Sequence, residues 1–476
     1  MDPEEAADAA FVRWCAAQPW DVIVVGGGNA ALVAALSARE HARRVLVLER
    51  APRHSRGGNT RHTRNIRVAH LAADGYVAGR YPPEELLADL ISVGDGPFNL
   101  DLARLAVAES LDCPRWMADQ GVRWQQPLRG TLSLARTNRF FLGGGKALLN
   151  RYYATAEQRD VRVAYRAHVT GVEAGGGGID GVVVQTTGGR ELLRAAAFVM
   201  AAGGFEANIE WLRRYWGDAV DNYVIRGTPF NDGAVLAQLL ELGAATAGDP
   251  KGFHAIALDA RAPRFDGGIA TRTDSIPFGI VVDRAGRRFA DEGADIWPKR
   301  YASWGRLVAE QDGQIAFSIY DSAVAHLFIP GLYPPHTAPT ISGLARAVGI
   351  DPRQLVATVD RFNASIEPGG RFSPTELDRC RTTGLVPPKS NWARPVATPP
   401  YFAVPLRPGI TFTYLGVAIS DRAAVLDTRG LPFRNVFAAG EIMSGNILST
   451  GYLAGFGLTI GTAFGRIAGR EAARCS

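Results

Sequence analysis

Cysteine is scarce in this 476-residue chain, and Cys15, Cys113, Cys380 and Cys475 lie too far apart to form a CxxC pair or a zinc-ligand spacing. Neither a disulfide framework nor a metal centre is expected, and the setting expected is reduced and cytoplasmic. Lysine is scarcer still relative to the basic total: all but Lys146, Lys251, Lys299 and Lys389 of the 52 basic residues are arginines, and no basic block occurs. The net charge of +5 therefore does not mark a nucleic-acid surface, although arginine suits anionic ligands. Long apolar runs are missing too, none approaching the roughly 20 residues of a spanning helix. The first residues, with Asp2, Glu4, Glu5 and Asp8, lack the basic start and apolar core of a signal peptide. What remains is 47% hydrophobic and 21% charged, a globular composition long enough for two domains.

Residues 22–25, VIVV, form the apolar β-branched run of a buried parallel strand, and a glycine turn follows at once. Gly26, Gly28 and Ala31 hold the small-residue positions of GxGxxG/A: a tight turn, close approach of a pyrophosphate, and helix–strand packing. A helix over 30–42 would then turn free N–H groups, near Asn29 and Ala30, toward phosphate. A second strand over 45–48 ends at Glu49, beside Arg50, where a carboxylate can accept ribose hydroxyls and disfavours a 2′-phosphate. A flexible turn, Gly57-Gly58-Asn59-Thr60, comes next. Two later strand-and-turn segments can line the same cofactor: AAAFVMAAGGFE over 195–206, with Ala202 and Gly203, and NVFAAGEIMSGN over 435–446, with Gly440 and Glu441. NAD folds rarely need that C-terminal return, so FAD is expected.

On these segments, with NDG at 231–233 and FGRIAG at 464–469, the chain resembles the FAD-binding superfamily of fumarate reductase and succinate dehydrogenase flavoproteins from about residue 21 onward. Within it the chain is most similar to the FAD-dependent tricarballylate dehydrogenases. The resemblance implies an α/β architecture: a Rossmann-like FAD-binding domain of the glutathione-reductase type with an inserted α+β capping domain. The expected division is an N-terminal extension over 1–20, the FAD-binding domain over 21–248 and 401–476, and the capping, substrate-binding domain over 249–400. Helices are expected over 83–91, 100–120, 145–158, 234–242, 355–365 and 459–474, and a β-meander over 161–194. Gly143-Gly144-Gly145-Lys146 lacks the GxxxxGK[ST] spacing of a phosphate-binding loop.

A hydride can pass from a saturated carbon to flavin N5 only if a base takes the neighbouring proton and the anionic substrate is clamped. Residue by residue, the resemblance assigns His254 of KGFHAIALDA and Thr271 of GIATRTD to substrate carboxylates, and Arg300 of DIWPKRYAS to proton exchange with the substrate carbon. Three positions depart from the superfamily pattern. Arg272 replaces the relay glutamate, Phe412 replaces a histidine, and Tyr452 replaces the carboxylate-binding arginine. The clamp for a four-carbon dicarboxylate is thus incomplete, but tricarballylate dehydrogenases share these replacements and Arg272 can meet an extra carboxylate. A guanidinium is no base unaided, so Arg300 needs an acid; Asp274, Glu292 and Asp295 are nearest in sequence. His62 and Arg64 can meet a carboxylate or the pyrophosphate. Asn59 stands where some relatives carry a histidine joined covalently to FAD, which implies non-covalent FAD here.

The activity implied is oxidation of tricarballylate, or a similar polycarboxylate, to cis-aconitate. Arg300, His254 and Arg272 are the catalytic residues expected, and Thr271 and Tyr452 the substrate-binding ones. A separate, membrane-associated electron-transfer partner is expected, and no nucleic acid. YLAGFGLTIG also resembles 3-ketosteroid dehydrogenases of the same superfamily. A fumarate reductase-like enzyme, an oxygen-using biosynthetic flavoprotein and a non-catalytic flavin scaffold are the other readings.

Overall fold

WDVIVV forms β1 (Trp20–Val25), almost wholly buried as an interior strand of its sheet. The chain is seen in a computed structural model describing residues 2–94, 96–127, 135–296 and 301–475. After β1 come α1 (Asn29–Arg39), β2 (Val45–Leu48), α2 (Gly144–Gln158), β3 (Arg162–Ala164), β4 (Ala195–Met200), β5 (Pro432–Ala438) and α3 (Phe456–Ala473). The five strands make one parallel sheet in the order β5-β4-β1-β2-β3, with Ala424–Leu426 antiparallel on the β5 edge. The chain steps outward from β1 to β2 and β3, then returns to the other side of β1 with β4. That reversal opens a crevice beyond the carboxyl ends of β1 and β4, where open α/β sheets bind ligands.

The last helix seals this sheet by close backbone contact. A Cβ on Gly465 would lie 2.8 Å from the Ala30 carbonyl oxygen, and one on Gly469 2.3 Å from that of Ala34. Glycine every fourth residue thus gives α3 a flat face against α1.

A second sheet is built on the 13-residue strand Tyr401–Thr413. It pairs antiparallel with Phe253–Asp259, Ala316–Asp321 and His336–Ala338, and parallel with Val224–Arg226. Sheet membership therefore crosses the expected divisions at 248/249 and 400/401. Two apolar clusters flank this sheet, one around Trp304, Phe278 and Trp392, the other around Leu344, Leu355 and Phe362.

Several elements differ from their sequence reading. The helix expected over 100–120 is two, Leu100–Ser110 and Cys113–Asp119, because Pro114 lacks the N–H that would continue the first and suits the opening turn of the second. The meander is His168–Gly175, Gly178–Thr186 and Gly189–Leu193, while Arg162–Ala164 joins the parallel sheet instead. The N-terminal helix, Pro3–Ala16, is capped by Asp2 and anchored where the Trp20 indole N–H donates to the Cys15 carbonyl at 2.9 Å. Among the described residues no helix is long and apolar enough to cross a membrane.

Candidate active site

A cavity, open to solvent at its mouth, lies at the crevice between β1 and β4. Gly26 begins it with φ +118°, and a Cβ there would lie 2.2 Å from the Ala201 carbonyl oxygen, so only glycine makes this turn. The opening of α1 follows, with the Asn29 N–H donating to Thr60 Oγ1 at 3.0 Å. Glu49 caps the far wall. Its carboxylate accepts the N–H groups of Ala51 and Gly57, each at 2.9 Å, and burial raises its pKa against those bonds. A carboxylate has about four acceptor positions, and with the Arg50 N–H also directed at it, one remains for a hydroxyl donor.

Of the expected cofactor residues, Gly26, Gly28, Asn29, Ala30, Glu49, Arg50, Gly58, Asn59, Thr60, Ala202, Gly203, Gly440 and Glu441 line this cavity. Gly57 does not; its N–H orients Glu49. Arg50 is held by Asp232 at 2.5 Å. These walls fit a dinucleotide. Asn29 Oδ1 is buried without a hydrogen-bond partner among the described residues, a helix N-terminus faces the cavity and an acid stands at the ribose position.

The other end of the cavity is cationic. Arg64, Arg226, Arg272 and His62 line it with His254, Tyr301, Phe412 and Tyr452. Arg272 is paired with Asp274 at 3.0 Å and stands over the Tyr301 ring. Arg226, from strand Val224–Arg226, donates to the Gly268 carbonyl at 3.3 Å and to Thr411 Oγ1 at 3.2 Å. Among the described residues neither Arg64 nor Arg226 forms an ion pair with a carboxylate.

The electrostatics follow from that arrangement. Desolvation, with the neighbouring Arg272, lowers the Arg64 pKa to about 10, and desolvation lowers Arg226. Desolvation and the Arg226 charge push His62 down to about 4 and His254 well below its usual value. Arg64, Arg226, His62 and His254 are all depressed in the direction that an entering anion would reverse.

His254, at the start of strand Phe253–Asp259, is buried, and its Nδ1 has no hydrogen-bond partner among the described residues. Thr271 is buried outside the cavity lining, its hydroxyl donating to Asp266 at 2.6 Å. Glu292 is bound to Arg288 at 2.5 Å, and neither it nor Asp295 lines the cavity. Arg300 lies outside the described residues. The sequence reading did not single out Arg226, Asp266, Tyr301 or Glu206. For Arg226 a signal existed: a lone guanidinium closing the apolar strand YVIR.

Residues 21–458 match the family model described as "FAD binding domain". Fumarate reductase (cytochrome) of Shewanella frigidimarina is 26% identical, over 96% of this chain and 77% of its own. The open conformation of a flavocytochrome c3 fumarate reductase superposes with a TM-score of 0.73 at 21% identity, covering 100% of this chain and 81% of that one. The 3-ketosteroid-Δ4-(5α)-dehydrogenase of Rhodococcus jostii RHA1 gives 0.73 at 22%, covering 96% and 97%. With a dinucleotide cavity at the switch point of a mixed α/β fold and a family match over most of its length, the chain belongs to the FAD binding domain family and is an FAD-dependent oxidoreductase.

Proposed function

We propose that this protein oxidises a carbon–carbon single bond of a small polycarboxylate, with tricarballylate as substrate and cis-aconitate as product. The observation that carries the reading is the pair Arg64 and Arg226: two desolvated, cavity-lining guanidiniums that form no ion pair with a carboxylate among the described residues. Desolvated cations persist where a ligand supplies the opposite charge. In this reading the parallel-sheet body is a Rossmann-like FAD-binding domain of the glutathione-reductase type, and the second sheet with its helices caps it.

Gly26, Gly28, Asn29, Thr60 and the 440–441 turn would hold FAD, with Glu49 on the ribose and no covalent link. Bound FAD supplies a two-electron acceptor for a hydride. Arg64 and Arg226 each grip one carboxylate, and Arg272 meets the third by exchanging it with Asp274. His254, neutral and stacked on Tyr452, offers a hydrogen bond rather than a charge. Arg300 takes the proton from the carbon next to the one losing hydride, draining it to an acid. The substrate thus loses one hydride and one proton and gains a double bond. Re-oxidation falls to a separate, membrane-associated electron carrier.

The aromatic group His254, Tyr452 and Phe412 also favours a second reading, a 3-ketosteroid-type substrate. Two desolvated guanidiniums outside any described ion pair argue against an uncharged ligand. Product analysis with an artificial electron acceptor separates the two: cis-aconitate from tricarballylate supports the first, and turnover of a 3-ketosteroid alone supports the second.

A further inference from the structure

The buried acids Glu206 and Glu441 sit on two turns at the cavity wall, at the end of AAGGFE and at the start of the 441–446 turn. Glu206 is fully buried, and Glu441 lines the cavity. Glu206 Oε1 accepts the side-chain amides of Asn59 at 2.6 Å and Asn231 at 2.7 Å. Its Oε2 meets no donor among the described residues other than the neighbouring Glu441 carboxyl, and the two acids lie in hydrogen-bonding contact. On the other side, Glu441 Oε1 accepts the Thr413 N–H at 2.9 Å. The contact depends on Gly204, whose Cβ would lie 2.3 Å from Glu441 Oε1.

Two carboxylates cannot hydrogen-bond to one another, because neither has a donor; one of them must carry a proton. No cation compensates a second negative charge, since no described guanidinium, ammonium or imidazolium forms an ion pair with either acid. The other titratable group facing the pair is the Tyr452 phenol, held protonated by burial. Burial and the Glu206 charge both raise the Glu441 pKa, so the proton resides there. The shared proton closes a chain of bonds from the 57–60 turn through Asn59, Glu206 and Glu441 to Thr413. Three walls of the cofactor cavity meet in that chain.

We propose that Glu206 and Glu441 act as a proton-sharing latch, joining the 57–60 turn, the 441–446 turn and the end of strand Tyr401–Thr413 around FAD, and that losing the proton loosens the cofactor. Both are positioning residues. The sign follows from the raised pKa of Glu441: the latch is closed below the raised value and opens as pH rises through it.

The test is the dissociation constant of FAD for the full chain between pH 6 and 10, read from flavin fluorescence on release, in wild type, Glu206→Gln and Glu441→Gln. The glutamine at 206 can accept both asparagine amides and donate to the Glu441 carboxylate without a shared proton. Wild type is expected to weaken on the alkaline side by up to about tenfold per pH unit, while Glu206→Gln stays flat. A wild-type constant independent of pH, or the same alkaline loss in Glu206→Gln, overturns the latch. Should Glu206→Gln fail to fold, the infrared carbonyl stretch of a protonated carboxyl decides. It should be present in wild type at the acid end of that range and absent in Glu441→Gln; its absence from wild type overturns the proposal.

Discussion

The His254 imidazole lies flat on the Tyr452 ring, centroids 3.9 Å apart and planes 11° apart. The Tyr452 hydroxyl in turn accepts the Gly457 N–H at 2.9 Å, in the first turn of α3. The stack joins the second sheet to the last helix across the cavity, and it encloses a histidine that desolvation keeps neutral.

Neutrality has a kinetic consequence. A histidine with a depressed pKa is uncharged at every pH above that value, so it adds no titration step near its ordinary 6.5. The pH profile of kcat/KM is expected to lack an acid limb assignable to His254 between pH 5 and 8. His254→Gln, which keeps a hydrogen-bonding side chain, is expected to retain more activity than His254→Ala. An acid limb near 6.5 that His254→Gln abolishes would contradict this.

His62 gives a stability prediction with a definite sign. Its folded pKa is about 4 against 6.5 for the unfolded chain, so over that window the unfolded state binds more protons. Stability therefore falls as pH drops from about 6.5 toward 4. His62→Asn removes part of that fall, measurable as a smaller loss of melting temperature over that interval.

Arg226 is expected to trade stability for binding. Arg226→Met removes a desolvated cation that forms no ion pair among the described residues, so melting temperature without substrate rises. The same change costs about 2–5 kcal/mol of transition-state binding, roughly a 30- to 5,000-fold loss in kcat/KM. Differential scanning fluorimetry and steady-state kinetics check the two halves independently.

Two positions test how FAD is held. Gly26→Ala forces a Cβ to within 2.2 Å of the Ala201 carbonyl oxygen at a φ of +118°, and the purified variant is expected to be colourless. Asn59 is fully engaged: its amide donates to Glu206 and to the Thr411 carbonyl at 2.9 Å, and its oxygen accepts the Thr228 N–H at 2.9 Å. It offers no nucleophile to a flavin. Denaturing the wild type in guanidinium should release all its flavin to an ultrafiltrate.

How much of this was legible in the sequence follows from how local each signal is. The β1 turn, Glu49 and the 440–441 turn carry their meaning within a dozen residues, and all lie at one cavity. The opening of the last helix, expected at 459, begins at Phe456, because Gly455 takes a left-handed turn packed against Asn65 and Asn138. That contact spans hundreds of residues and leaves no local trace. Arg226 and Glu206 were passed over for the same reason. Each has an ordinary neighbourhood in sequence, and what sets it apart is the partner brought from elsewhere: Thr411 for one, Asn59 and Asn231 for the other. Thr271 shows the converse, a threonine on a matching segment whose hydroxyl is spent on Asp266.

The most direct test of the central claim is anaerobic reduction of the bound flavin, followed by its visible absorbance. Tricarballylate is expected to bleach wild type and to leave Arg226→Met oxidised at the same concentration. A flavin that stays yellow with tricarballylate and related polycarboxylates, yet bleaches with a 3-ketosteroid, would contradict an anion-gripping site.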